Sequence, residues 1–167
     1  MLSKEFIEEV TPITVTCDSY LDLLPNYFSL YKKYSSLPKP LIIGETKKLE
    51  SFDIFTAGDK PWGKRLCEAL EKVDTKYILF TLEDYYFQTN IDNYVEQALE
   101  ILKEKDYDKI ALISNSHFSG YKLSPTEIPN FYKMLPNCHN LATLQMGLWK
   151  KTTFDETLNP TFSPWDF

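Results

Sequence analysis

The stretch "KYILFTLEDYYF", residues 76–87, joins a run of apolar, β-prone side chains to an adjacent pair of carboxylates. Residues 76–82 are too few for a helix between their neighbours and match a central strand that is buried on both faces. The acids Glu83 and Asp84 are followed by two tyrosines rather than by a helical pattern, so helix capping is a weak explanation for them. The stretch therefore predicts a buried strand that carries two carboxylates to its end.

Strand and helix patterns alternate along the rest of the chain. Strands are predicted over 12–17, 40–45, 52–58, 76–82, 108–114 and 141–151, and helices over 20–34, 61–73, 90–105 and 152–158. The loop 115–137 shows no clear period. This order predicts an α/β layered, mostly parallel sheet with helices on both faces. A length of 167 residues favours a single domain, 1–167.

Acidic residues fall where several predicted strands end. In open α/β sheets ligands bind at the carboxyl ends of the strands, and Asp18, Asp59 and the pair at 83–84 all lie at such ends. Magnesium or manganese is usually held by one or two carboxylates, completed by substrate phosphates and water. The pattern predicts a metal-bridged, phosphate-bearing substrate, although half of an ion pair is the structural alternative for each acid.

Composition and charge argue against several classes of function. The net charge is −6 without a Lys/Arg stripe, which argues against nucleic-acid binding. Three cysteines lie far apart, which favours a reducing compartment and argues against a disulfide framework or a zinc site. No signal peptide and no apolar run of the ~18 residues that a membrane span needs are visible. The expectation is a cytoplasmic protein without a transmembrane segment, with peripheral association with a membrane left open.

Four short stretches carry a resemblance to a known family. They are "WGKRLCEAL" (62–70), "EDY" (83–85), "LQMGLWKK" (144–151) and "SPWDF" (163–167), within a likeness that covers 12–167. In these the chain resembles the nucleotide-sugar-binding half of a GT-A glycosyltransferase, and more narrowly the small glycosyltransferase-like proteins of bacterial surface-polysaccharide clusters. The resemblance implies a GT-A-like (Rossmann-like) fold. It also implies sugar transfer from a nucleoside diphosphate donor, with a UDP-sugar favoured, to a saccharide acceptor with Mn²⁺ or Mg²⁺.

The same resemblance implies roles on the donor side. Where GT-A enzymes carry D-x-D, this chain reads Leu82-Glu83-Asp84. Asp84 matches the metal-binding position, and Glu83 compensates for the first Asp, which is replaced by leucine. The loop that holds the nucleobase and ribose is matched by Thr16, Cys17 and Asp18. Arg65 lies where a cation faces the nucleotide, with an ion pair on the helix surface as the alternative.

The late segment matches the acceptor side. The resemblance places the catalytic base at Asp166, which would deprotonate the acceptor hydroxyl. Resembling proteins carry one further acidic residue there, whereas this chain ends at Phe167, so the domain is either truncated at its C-terminus or without its base. Trp149 and Trp165 could stack on a sugar ring, but burial in the core is the more frequent case.

Two other functions stay open from the sequence. A catalytically degenerate module that binds nucleotide or glycan, or acts in interactions, is favoured by Leu82 and the early chain end. A nucleotidyltransferase uses a similar sheet, but no Gly-rich, basic phosphate loop follows the first predicted strand.

Overall fold

The structure is a computed structural model, and it describes residues 1–112, 123–135 and 143–166. The strands are β1 Val10–Val15, β2 Leu41–Gly44, β3 Ile54–Thr56, β4 Tyr77–Leu82, β5 Lys109–Ala111, β6 Leu123–Pro125, β7 Tyr132–Met134 and β8 Gly147–Lys150. The helices are α1 Lys4–Glu9, α2 Leu24–Tyr34, α3 Trp62–Leu70, α4 Asp92–Glu104 and α5 Lys151–Thr157, and a 3₁₀ turn spans Leu21–Leu23.

The main sheet is mostly parallel. Its six strands lie in the order β3-β2-β1-β4-β8-β5, and β8 runs antiparallel to both of its neighbours. β1 pairs in parallel with β2 on one side and with β4 on the other. A separate antiparallel hairpin is formed by β6 and β7. Since β1 and β4 are central neighbours, their carboxyl ends meet in the middle of one edge of the sheet.

The apolar run of β4 supplies both halves of the core. Ile78, Leu79 and Phe80 have no exposed surface, and they alternate between the two faces of the sheet. One core cluster packs β4 against α1, α2 and α4, and the other packs it against α3 and α5. The predicted fold class, an α/β layered sheet with helices on both faces, is therefore confirmed.

Element boundaries differ from the prediction in several places. The strand predicted over 141–151 is confined to β8, because Leu144, Gln145 and Met146 form a bend before it, and residues 141–142 lie outside the described part. The strand predicted over 108–114 is described only as β5, and its end from 113 onward lies outside the described residues. Helix α1 was not predicted, because six residues give too short a pattern; Ser3 caps it by accepting a hydrogen bond from the Phe6 amide at 3.0 Å. Among the described helices, none is long and apolar enough to cross a membrane.

Candidate functional site

The carboxyl ends of β1, β2 and β4 form one contiguous edge. Val15 is in register with Leu82 of β4 on one side and with Ile43 of β2 on the other. The residues that follow these positions therefore start from neighbouring points on the sheet. The Thr16 amide continues the ladder by donating to the Ile43 carbonyl at 2.9 Å. The predicted loop at 16–18 and the predicted acids at 83–84 are brought together.

A tight turn sends the two predicted acids in different directions. The Tyr85 amide donates to the Leu82 carbonyl at 3.2 Å, so Glu83 and Asp84 occupy the two central positions of the turn. Glu83 is 5% exposed, whereas Asp84 is exposed to solvent. The adjacent pair thus provides one buried carboxyl group and one that a ligand can reach.

Glu83 is buried at the end of β4, next to the loop after β1. Burial, with a smaller contribution from the negative charge of Asp84, raises the pKa of its carboxyl group to about 7. Its own backbone amide and the neighbouring Thr16 and Cys17 favour the charged form and oppose that increase. The carboxyl group therefore lies beside the loop after β1, and any contact it makes with a ligand stays a prediction.

Cys17 is half-buried beside these acids. Burial raises the pKa of its thiol, and the negative charges of Glu83 and Glu45 add to the increase. Since the thiolate is the nucleophilic form, the thiol is unreactive at neutral pH. Cys17 can contribute to the wall of a pocket but is not suited to nucleophilic catalysis.

The Asp18 carboxylate is engaged within the protein. It accepts hydrogen bonds from the amides of Thr46 and Lys47 at 3.1 and 3.0 Å, and from the Thr46 hydroxyl. The bond from that hydroxyl is the main reason that the pKa of Asp18 is lowered. In return, the Asp18 amide donates to Glu45 Oε2 at 2.9 Å. Asp18 therefore joins the loops after β1 and β2.

Arg65 is buried and paired across the site rather than along its helix. Its side chain is 9% exposed, and its Nη2 donates to Glu45 Oε1 at 3.0 Å. The ion pair expected as the alternative for Arg65 is confirmed, but it joins α3 to the loop after β2 instead of lying on the helix surface. A contact of Arg65 with a nucleotide stays a prediction. Arg65 Nε has no hydrogen-bond partner among the described residues. Glu45 was not singled out from the sequence, although its position after the strand "PLIIG" is the same signal that identified Glu83.

A buried triad of hydroxyl groups lies under the edge. Tyr27 of α2 approaches Thr81 Oγ1 at 2.7 Å and Thr14 Oγ1 at 3.1 Å, and the two threonines, which are register partners, are 3.2 Å apart. All three residues are at most 1% exposed. Burial, followed by the nearby charge of Glu83, raises the pKa of Tyr27. The triad fixes α2 to the ends of β1 and β4. The sequence analysis missed it, although threonines within otherwise apolar strands are a signal that could have indicated it.

The C-terminal turn holds the predicted base and an exposed tryptophan. Asp166 Oδ2 accepts hydrogen bonds from the Ser163 amide at 2.8 Å and from its hydroxyl at 2.7 Å, and these lower the pKa of Asp166. A lowered pKa makes this carboxylate a weaker base. Trp165 is 93% exposed, which overturns the preference for a buried tryptophan there, whereas Trp149 is 3% exposed and lies in the core.

The segment before this turn is docked on α3. The Gly63 amide donates to the Phe162 carbonyl at 2.9 Å. A Cβ atom at Gly63 would lie 2.1 Å from the Asn159 carbonyl oxygen, so the helix and the turn touch where glycine leaves room. Because Gly63 lies two residues before Arg65, the turn is anchored beside the helix end that also contacts Glu45.

A metal ion would depend on Asp84 and on ligands outside the protein. Among the described residues, no group of three or more His, Cys, Asp or Glu side chains is arranged to hold an ion. An exposed carboxylate nevertheless fits a Mg²⁺ or Mn²⁺ ion that takes its other ligands from phosphates and water. The metal site stays a prediction.

Solved structures of similar fold are known. S. aureus TarS 1–349 matches with a TM-score of 0.52 and 14% identity, over 92% of this chain and 50% of that one. The same protein in complex with UDP-GlcNAc matches with a TM-score of 0.54 and 13% identity, over 89% and 47%. The bifunctional IspDF from Campylobacter jejuni matches with a TM-score of 0.51 and 12% identity, over 92% and 44%.

These likenesses concern the fold. This chain spans about half the length of the solved chains that it matches. No protein-family model matches the sequence, and no curated protein matches it significantly. The fold is GT-A-like, an α/β layered sheet of the kind seen in TarS and IspDF.

Proposed function

We propose that this chain binds a nucleotide-sugar donor at the carboxyl edge of its sheet and transfers the sugar to a saccharide acceptor with the help of a divalent metal. The observation that carries the proposal is the turn after β4, which presents Asp84 to solvent while Glu83 is buried beside it. The GT-A-like fold, shared with a structure that contains UDP-GlcNAc, supports a nucleotide-sugar donor.

On the donor side, the residues at the carboxyl edge would have different roles. Asp84 would hold Mn²⁺ or Mg²⁺, which supplies positive charge to the diphosphate that departs from the sugar. Thr16 and Cys17 would line the nucleoside pocket, with Glu83 holding their loop in position. Asp18 and Arg65 would act through Glu45, because their polar groups are engaged with that residue or its loop. The loops would thus be preorganised before the donor arrives.

On the acceptor side, Asp166 would take the proton of the attacking hydroxyl. Its Oδ2 is engaged by Ser163, so Oδ1 is the oxygen that would receive the proton. The oxygen of the acceptor would then attack the anomeric carbon of the donor, and the nucleoside diphosphate would leave. We further propose that the reaction serves surface-polysaccharide synthesis at the cytoplasmic side, with the chain free or peripherally associated with a membrane.

The donor site is tested by calorimetric titration of the chain with UDP and GDP, each with and without Mn²⁺. We expect metal-dependent binding of UDP that Asp84→Asn reduces at least tenfold, because the amide removes the charge that holds the ion. The control is Asp74→Asn, an exposed acid just before the opposite end of β4, which should bind like the wild type. Equal metal-dependent affinity in both variants would overturn the role of Asp84.

Two rival functions predict different titrations. A degenerate nucleotide- or glycan-binding module would bind UDP without releasing it from UDP-GlcNAc, and an interaction module would bind no nucleotide with or without metal. A nucleotidyltransferase, with which the likeness to IspDF is compatible, would instead bind a nucleoside triphosphate with metal and release pyrophosphate. Release of UDP from UDP-GlcNAc together with formation of a glycosylated product would favour the transferase over all three.

A further inference from the structure

Lys109, on the edge strand β5, has an environment that differs from that of other lysines in the structure. Several half-buried lysines are bonded to carboxylates, for example Lys103 to Glu9 at 2.8 Å and Lys151 to Asp155 at 2.6 Å. Lys109 instead donates from Nζ to a neutral group, the Thr143 carbonyl, at 2.9 Å. Among the described residues, its amine therefore has a neutral hydrogen-bond acceptor but no neutralising charge.

The slot that holds this side chain is built by β8. The Lys109 Nζ lies 4.4 Å from the centre of the Trp149 ring, and Trp149 is the register partner of Lys109. A Cβ atom at Gly147 would lie 3.2 Å from Lys109 Cε, so the missing side chain makes room for the lysine stem. The stem and amine are thus flanked by Gly147, Trp149 and the carbonyl of Thr143, and the residue keeps part of its surface exposed to solvent.

The sequence supplies no hidden acid for this amine. The undescribed segments 113–122 and 136–142 contain neither Asp nor Glu, so no side-chain carboxylate can reach Lys109 from them. Asp108, next to it in the chain, is bonded to the Thr153 hydroxyl at 2.9 Å and lies 3.7 Å from Lys150 Nζ. The carboxylate of Asp108 is therefore engaged with Thr153 and Lys150 rather than with Lys109.

An amine in such a slot is easily deprotonated. Burial lowers the pKa of Lys109 to about 7, because the charged form loses water without gaining a carboxylate. An indole face recovers part of that loss, but only about 0.5–2 kcal/mol. At neutral pH about half of the Lys109 amines carry a free lone pair, compared with roughly one in three thousand for a lysine of ordinary pKa.

We propose that Lys109 is an acylation site, a nucleophilic amine that accepts an acyl group from an activated donor of the acyl phosphate class. The amine lone pair attacks the carbonyl carbon, a C–N bond forms, the C–O bond to phosphate breaks, phosphate leaves, and the amine proton passes to water. The product is a neutral amide, which removes a charge that the slot does not stabilise. This proposal is independent of the function proposed for the carboxyl edge.

The test compares lysines within one molecule. The folded protein is treated briefly with acetyl phosphate between pH 6 and 10, then unfolded and fully acetylated with isotopically heavy acetic anhydride, and each lysine is quantified by peptide mass spectrometry. Lys4, whose side chain is 88% exposed, is the internal reference. At pH 7 we expect Lys109 to react at least tenfold faster than Lys4, and we expect that excess to shrink by pH 10, where exposed amines also lose their protons.

Two controls separate reactivity from sequence context. The same treatment in urea should abolish the excess, because the slot is then absent. Lys109→Arg should leave the acetylation of Lys4 unchanged while removing the fast site. A Lys109 that reacts no faster than Lys4 at pH 7, or that reacts equally fast in urea, would overturn the proposal.

Discussion

Replacing Gly63 with alanine tests how the C-terminal turn is held. The new Cβ atom would lie 2.1 Å from the Asn159 carbonyl oxygen and 3.3 Å from the Phe162 amide nitrogen. Both are backbone atoms, which cannot rotate away as a side chain can. The helix and the turn must therefore separate by more than 1 Å to reach ordinary contact distance, and the 2.9 Å bond from Gly63 to the Phe162 carbonyl is lost.

The magnitude follows from three opposing effects. Overpacking a close contact costs about 1–3 kcal/mol, and losing the hydrogen bond costs about 0.5–1.5 kcal/mol. Alanine favours the helical state over glycine by about 1 kcal/mol, which offsets part of the cost. We expect the free energy of unfolding to fall by about 2 kcal/mol, which lowers the urea midpoint by roughly 1 M for a small protein.

The measurements are urea unfolding and amide hydrogen exchange of the peptide covering 159–166. Exchange in that peptide should accelerate in Gly63→Ala because the turn is no longer docked. Lys64→Ala is the matched control: it changes an exposed neighbour in the same helix whose ion pair with Glu68 lies at the surface, and we expect it to stay within about 0.5 kcal/mol of the wild type. A Gly63→Ala protein as stable as the wild type, with unchanged exchange in 159–166, would refute the reasoning.

Three further predictions concern buried polar groups. Tyr27→Phe should lower the free energy of unfolding by about 1 kcal/mol, because a buried hydroxyl loses its hydrogen bonds; Tyr94→Phe, at a 63% exposed position, should be neutral in the same urea titration. Glu45→Gln should cost about 1–3 kcal/mol by leaving the buried Arg65 guanidinium without its charge partner, and Glu45→Gln combined with Arg65→Met should recover part of that loss. Folding lowers the pKa of Lys109 from 10.5 to about 7. Between about pH 7 and pH 10.5 the unfolded chain therefore binds more protons than the folded protein, and the free energy of unfolding should rise with pH over that range. Lys109→Met should remove the slope, and a wild-type unfolding free energy that stays flat from pH 7 to 10 would contradict the assignment.

The site proposed here depends on loops that the strand ends hold in a common position. Glu83 is buried beside the loop after β1, Asp18 joins that loop to the one after β2, and Glu45 joins the latter to α3 through Arg65. Glu83 and Arg65 are buried, Asp18 and Glu45 are partly exposed, and Asp84 is exposed. Substitution of Asp18, Glu45 or Arg65 should therefore change the affinity for the donor by moving the loops. Substitution of Asp84 should instead remove a ligand contact directly.

The sequence by itself determined the fold class and the edge of the sheet at which the proposed site lies. Alternating helix and strand patterns are local properties of the chain, and the apolar run of β4 can be buried on both faces in few ways. An acid placed directly after a strand falls at the carboxyl edge when that strand runs parallel to its neighbours. The predicted convergence of 16–18 and 83–84 followed from these local rules.

Tertiary structure decided which of those side chains a ligand could reach. Glu83 and Asp84 are neighbours in the chain, yet the turn that places one inside and the other outside is fixed by the packing of β4 against β1. The partner of Arg65 lies twenty residues away, so no helical spacing could reveal it. The antiparallel direction of β8 and the slot around Lys109 likewise arise from the pairing of distant strands. Such contacts depend on strand order and register, which are set by the packing of the whole core rather than by any single segment.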